Sequence, residues 1–181
     1  MGRGITMNCV DIPSKVFLNS VENHQTYKNQ ILESIKSMGS FSLNEPNISS
    51  IYNSDWHLNR QGFKSHYYDL VKPVLLDHIE TVRSFLNYKK LEITNYWFQQ
   101  YKKNDFHIWH THGGCLFSSV YYVELAEDNP MTTFKMGELE FKVPVKEGDI
   151  ITFPSFLAHC SPINQSETIK TVISFNLNGT Y

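Results

Sequence analysis

His107-Ile108-Trp109-His110-Thr111-His112 is followed closely by Ser118-Ser119-Val120-Tyr121-Tyr122-Val123, and the reading of this pair of segments decides the fold. The second segment is a β-prone run of the kind found in a buried strand. The first packs three of the chain's eight histidines into six residues. Side chains of an extended segment alternate between faces, so His110 and His112 project to one side and their imidazoles can share an ion. His107 competes for the same role, but its odd spacing from His110 places it on the other face of an unbroken strand. A third nitrogen is supplied by His159, which follows a strand opened by Gly148-Asp149 and ended by Pro154. Imidazole suits iron, zinc, copper and nickel, and an open three-ligand face leaves positions for substrate or oxygen.

Working outward, residues 91–101 alternate strictly and read as a strand, with Ile93, Asn95, Trp97, Gln99 and Tyr101 on one face. Further strands are expected at residues 117–125, 131–134, 139–143, 149–153 and 168–178, separated by turns at Glu127-Asp128-Asn129-Pro130, Lys146-Glu147-Gly148 and Asn164-Gln165-Ser166. Upstream the period changes. Residues 21–38 carry Tyr27, Ile31, Ile35 and Met38 at helical spacing, with Gly39 at the C-cap. Residues 67–86 form a second helix, with Leu70, Val74, Ile79, Val82, Phe85 and Leu86 on its apolar side and Pro73 as a kink or a start. His66 and His78 read as helix-surface positions. Between the helices, residues 40–62 read as a long loop able to cover a pocket mouth. The first residues, 8–19, are β-prone and broken by Pro13. Helices followed by short, closely connected strands predict a mostly β protein with N-terminal helices: an antiparallel double sheet, or jelly roll, with the helices on one outer face.

A chain of 181 residues is most simply one domain, residues 1–181, and its formal net charge of −2 provides no basic field for nucleic acid. Three cysteines (Cys9, Cys115 and Cys160) make no even framework and point to a reducing, cytoplasmic compartment. Cys115 and Cys160 lie close to proposed ligands and read as small apolar fillers there, with soft metal ligation as the alternative. No apolar run approaches membrane-spanning length, and the first residues lack the charged-then-apolar layout expected of a secretory signal. The first six residues fit the loose N-myristoylation pattern, which is too short to weigh.

Ser54-Asp55-Trp56, the run from Trp97 to His107, His110-Thr111-His112, Ser118 to Val123, Gly148 to Ser155, His159 and Ile173-Ser174-Phe175-Asn176 together resemble a family of prolyl-hydroxylase-like, 2-oxoglutarate and iron(II)-dependent oxygenases of marine bacteria and their phages. The matches run in order over most of the chain, and the first fifty residues carry none of them. The resemblance implies a double-stranded β-helix, cupin-like in form, with iron(II) between its sheets. It gives His110 the first ligand position, His112 the position that a carboxylate usually fills, and His159 the distant position. Asp105 or Glu124 would be the alternative carboxylates, although neither has the expected spacing. It also implies a cation for the far carboxylate of 2-oxoglutarate. Lys170, eleven residues after His159, stands where an arginine is common, and lysine gives up the planar two-point fork. Tyr122, Asn95 and Tyr101 are candidate hydrogen-bonding partners of the co-substrate. Trp97, Trp109 and Phe153 fall to core or pocket wall.

The function so implied is hydroxylation of a second substrate, small molecule or peptidyl, with dioxygen and 2-oxoglutarate consumed and succinate and carbon dioxide released. Two alternatives stay open. One is a three-histidine cupin-type dioxygenase acting without 2-oxoglutarate, and the other is a metal-binding module without turnover.

Overall fold

The strands that were expected from period-two alternation assemble into two facing sheets. In the computed structural model, which describes residues 14–181, the chain runs β1 (Phe17–Ser20), α1 (His24–Ser37), β2 (Leu43–Glu45), β3 (Ser49–Ile51), β4 (Asn53–Ser54), α2 (Trp56–Arg60) and α3 (Tyr67–Leu86). There follow β5 (Lys90–Tyr101), β6 (Phe106–His110), β7 (Phe117–Glu124), β8 (Thr133–Met136), β9 (Leu139–Lys142), β10 (Asp149–Pro154), β11 (Ala158–Ser161) and β12 (Lys170–Thr180). The expectations for residues 8–13, Cys9 and the N-terminal hexapeptide lie outside the described residues.

One sheet has the order β1-β10-β7-β12-β5-β4 and the other β2-β3-β6-β11-β8-β9, with every described pairing antiparallel. This is a jelly roll. The first sheet is buried on both faces, and the alternation of its strands sorts residues between two cores. Phe98, Tyr121, Val123, Ile150, Ile173 and Phe175 meet Ile31 and Ile35 of α1 and Val71, Leu75 and Ile79 of α3. Their neighbours Tyr101, Val120, Tyr122, Ile151, Phe153 and Val172 turn inward, toward Ile51 and Phe134 of the second sheet and Leu157 of the turn before β11. Each fully buried aliphatic side chain stabilises such a core by roughly 1.5–3 kcal/mol.

The helices hold a correction. The buried stripe of α3 runs Tyr67, Val71, Leu75, His78, Ile79 and Val82, while Leu70 and Val74 flank it and Phe85 is exposed. His78, expected on the surface, is 3% exposed and its Nε2 lies 2.7 Å from Thr152 Oγ1 of β10. Pro73 lies within an uninterrupted α3. Residues 40–62 hold β2, β3, β4 and α2 in place of the expected open loop. Asp55 pins this segment down: its Oδ1 accepts from the Phe98 amide at 2.8 Å, and its Oδ2 accepts from the Tyr67 hydroxyl at 2.9 Å and from Ser65. β2 and β3 therefore extend the second sheet and wall one side of the space between the sheets. At Gly148 the turn into β10 needs φ +90°, and a Cβ there would come within 2.9 Å of the His24 ring, so only glycine fits.

Candidate metal centre and its cavity

Between the sheets lies a cavity of about 370 Å³. Its floor is built by local strand geometry. His110 ends β6 and His159 sits opposite it on β11. His159 is therefore inside a strand that was not expected, where its position had been read as just beyond a strand end. His112 lies two residues past β6, its amide held by the Ser155 carbonyl at 3.0 Å and its ring stacked on Trp97 at 5.8 Å between centroids. One nitrogen from each of His110, His112 and His159 lies within 4.8 Å of the other two.

The hydrogen bonds orient these rings for ligation. His110 Nδ1 lies 2.8 Å from the Ile108 carbonyl and His159 Nδ1 lies 3.0 Å from the Leu157 carbonyl. A carbonyl only accepts, so both Nδ1 atoms carry the proton and both Nε2 lone pairs are left for an ion. His112 is tuned differently, with Asn176, whose Oδ1 accepts from Ser118 at 2.8 Å, partly offsetting the fall in its pKa. Burial lowers the pKa of every member, that of His112 to about 4 and that of His159 to about 3, with neighbouring His110 adding to both. The three are neutral imidazoles, the ligating form. Phe153 packs edge-on against His159 at 4.7 Å and shields it from water.

Among the described residues no carboxylate joins this set. Asp105 is engaged by the Ser50 hydroxyl and the amides of Tyr52 and Lys102, and Glu124 accepts from Thr171 on the far side of β7. Among the described cavity-lining residues the sole acidic one is Glu45, at the mouth. Cys160 lines the cavity, but burial raises its thiol pKa, so it is a neutral filler; Cys115 is partly exposed and outside the lining.

At the other end of β12 stands Lys170. It is 1% exposed, its Nζ donates to the Pro130 carbonyl at 2.7 Å and to Ser161 Oγ at 3.1 Å, and it lies 5.3 Å from the Tyr101 ring centre. Burial pulls its pKa from 10.5 down to about 7. None of the ion pairs among the described residues includes it. A buried ammonium that borders an open cavity without a counter-ion is a site for an anion.

The other candidates divide. Tyr101 lines the cavity next to Lys170. Tyr122 is fully buried and its hydroxyl donates to Thr132 Oγ1 at 2.7 Å, so Thr132 meets the cavity in its place. Asn95 lines a separate shallow groove with Lys64, Tyr68 and Tyr96. β5 carries an extra residue against β12 beside Asn95, which also lies one alternation beyond Trp97, past the end of the cavity. Trp97 and Phe153 are cavity wall, whereas Trp109 is 36% exposed and faces outward.

Sequence alternation missed His107. His110 pairs with His159 and His107 with Ser161, so Ile108 and Trp109 together oppose the single residue Cys160. This β-bulge brings both His107 and His110 to the cavity. Their rings stack at 4.0 Å, and burial with the nearby His110 and His112 lowers the His107 pKa to about 3. Asn176 and Ser161 were also missed; the sequence signal for both was only their inward position on strands.

The fold has counterparts of known structure. The chain is similar to a viral collagen prolyl hydroxylase from Paramecium bursaria Chlorella virus 1, solved as a 2-oxoglutarate complex (14% identity, 90% of this chain and 94% of that one, TM-score 0.65). It is also similar to a Pseudomonas putida prolyl-4-hydroxylase (11% identity, 92% and 93% covered, TM-score 0.64). A third is a Trichoplax adhaerens prolyl hydroxylase in complex with a hypoxia inducible factor peptide fragment (12% identity, 91% and 83% covered, TM-score 0.65). At these identities the likeness establishes the fold. No family model matches the sequence, and no curated protein matches it.

Proposed function

We propose that this protein is an iron(II) and 2-oxoglutarate-dependent oxygenase that hydroxylates a second substrate. The observation that carries the proposal is the placement of three neutral imidazoles and an uncompensated buried ammonium in one cavity. A 2-oxoacid with a distal carboxylate satisfies both: one end chelates the ion and the other neutralises Lys170. The fold shared with prolyl hydroxylases supports the same reading.

In this reading His110, His112 and His159 hold the ion on one face, and iron(II), when bound, supplies the oxygen activation that no side chain provides. Lys170 fixes the distal carboxylate, with Ser161 and Tyr101 beside it. Stacking on Trp97 holds the His112 ring in place, and Trp97, Phe153 and Val172 keep water from the reacting centre. The second substrate enters past Glu45 and Ile48 at the mouth. It is a small molecule or a peptide, the latter suggested by the peptide-bound Trichoplax hydroxylase. No described helix is long and apolar enough to cross a membrane, and a cytoplasmic setting fits the unpaired thiols of Cys115 and Cys160.

The all-histidine set favours one competing reading, a dioxygenase that uses no 2-oxoglutarate. Incubation of the purified chain with iron(II), oxygen and 2-oxoglutarate separates the two: the proposal predicts slow succinate release even without a second substrate. Oxygen consumption with a supplied substrate and no succinate would favour the competitor.

A further inference from the structure

A lysine meets a carboxylate at one point, whereas the arginine fork common at this position in such enzymes meets it at two. The cavity contains a group able to supply the second point. His107 reaches it only because of the bulge at Ile108–Trp109, and its imidazole makes no hydrogen bond to another described residue. Its cross-strand partner on β11 is Ser161, and Ser161 Oγ is the atom on which Lys170 Nζ rests, at 3.1 Å. Adjacent strands lie about 4.8 Å apart. The ammonium, which crosses from the opposite sheet, and the imidazole, which stands on this one, thus flank the same serine hydroxyl. Stacking on His110 fixes the plane of the His107 ring, and the residue lines the cavity.

Resting on the reading above, we infer that His107 is a co-substrate-binding residue: its ring N–H donates to the distal carboxylate of 2-oxoglutarate, completing with Lys170 and Ser161 a divided equivalent of the arginine fork. His107 is not a fourth metal ligand. The ring nitrogens that lie within 4.8 Å of one another are those of His110, His112 and His159, a set that does not include His107.

The test is binding, under nitrogen, to the full chain loaded with iron(II), with 2-oxoglutarate and 2-oxobutyrate as probes. The latter keeps the chelating end and lacks the distal carboxylate. His107→Ala should keep one iron per chain and lose about ten- to hundredfold of the wild-type preference for 2-oxoglutarate over 2-oxobutyrate, the scale of one hydrogen bond to a charged group. His107→Gln, which keeps a donor, should recover part of it. An unchanged preference, equal weakening of both acids, or loss of iron would each overturn the role of His107. A wild-type chain that binds iron but not 2-oxoglutarate would instead overturn the co-substrate reading itself, so the two failures are distinguishable.

Discussion

Lys170→Met should make the metal-free protein more stable and the co-substrate complex weaker. Lowering the Lys170 pKa from 10.5 to about 7 corresponds to about 5 kcal/mol of destabilisation of the charged form. Methionine removes that cost, fills a similar volume, and leaves the Pro130 carbonyl and Ser161 hydroxyl without their donor, a loss of about 1–3 kcal/mol. The net expectation is a gain of roughly 2–4 kcal/mol, read as a higher urea midpoint in chelator at pH 6. The pH dependence has a definite sign. Below about pH 7 native and unfolded wild-type chains both hold the proton, and the full difference from the variant persists. Between about 7 and 10.5 the unfolded chain holds a proton that the native chain has released, so wild-type stability rises with pH and the gap narrows. In the iron-loaded protein the same substitution should weaken 2-oxoglutarate binding about ten- to hundredfold. A variant that is less stable than wild type at pH 6, or that binds 2-oxoglutarate as well, would refute the picture of a strained ammonium awaiting an anion.

His159→Ala should abolish iron binding in metal analysis of the purified protein, while His112→Asp, which recreates the common two-histidine, one-carboxylate set, should retain it; full occupancy in the first would remove His159 from the ligand set. His78, whose pKa burial lowers from 6.5 to about 4, stays neutral in the fold while the unfolded chain protonates. Its contribution is therefore complete above pH 6.5 and lost as pH falls toward 4. His78→Gln should reduce the stability loss between pH 7 and pH 5 by roughly 2 kcal/mol in urea titrations, and an unchanged pH dependence would place the titration elsewhere.

The fold was readable where periodicity is long and clean. The α3 boundaries at Tyr67 and Leu86 and the β5 alternation through Trp97, Gln99 and Tyr101 follow directly from the sequence. Reading failed where a residue's environment is set by a distant element. The polarity of His78 suggested solvent, yet Thr152, 74 positions away, supplies its hydrogen bond. β2, β3 and β4 are two or three residues long and too polar to signal strands, and their place is set by pairing with β6 and β5. The candidate site shows the same division. His110, His112 and His159 stood out by type and spacing. His107 was set aside on strict alternation, which a single extra residue opposite Cys160 reverses, and Asn95 was included by the same rule although the strand outruns the cavity there.

The central claim, that one cavity binds iron through three histidines and a 2-oxoacid through Lys170, is tested most directly by absorption spectroscopy of the anaerobic iron(II) protein during 2-oxoglutarate addition. A visible charge-transfer band that saturates at one equivalent of iron and one of 2-oxoglutarate per chain, and is lost in His112→Ala, is the predicted result. Iron that binds at one equivalent without any band on adding 2-oxoglutarate, or a band that survives in His112→Ala and disappears in His107→Ala, would contradict it.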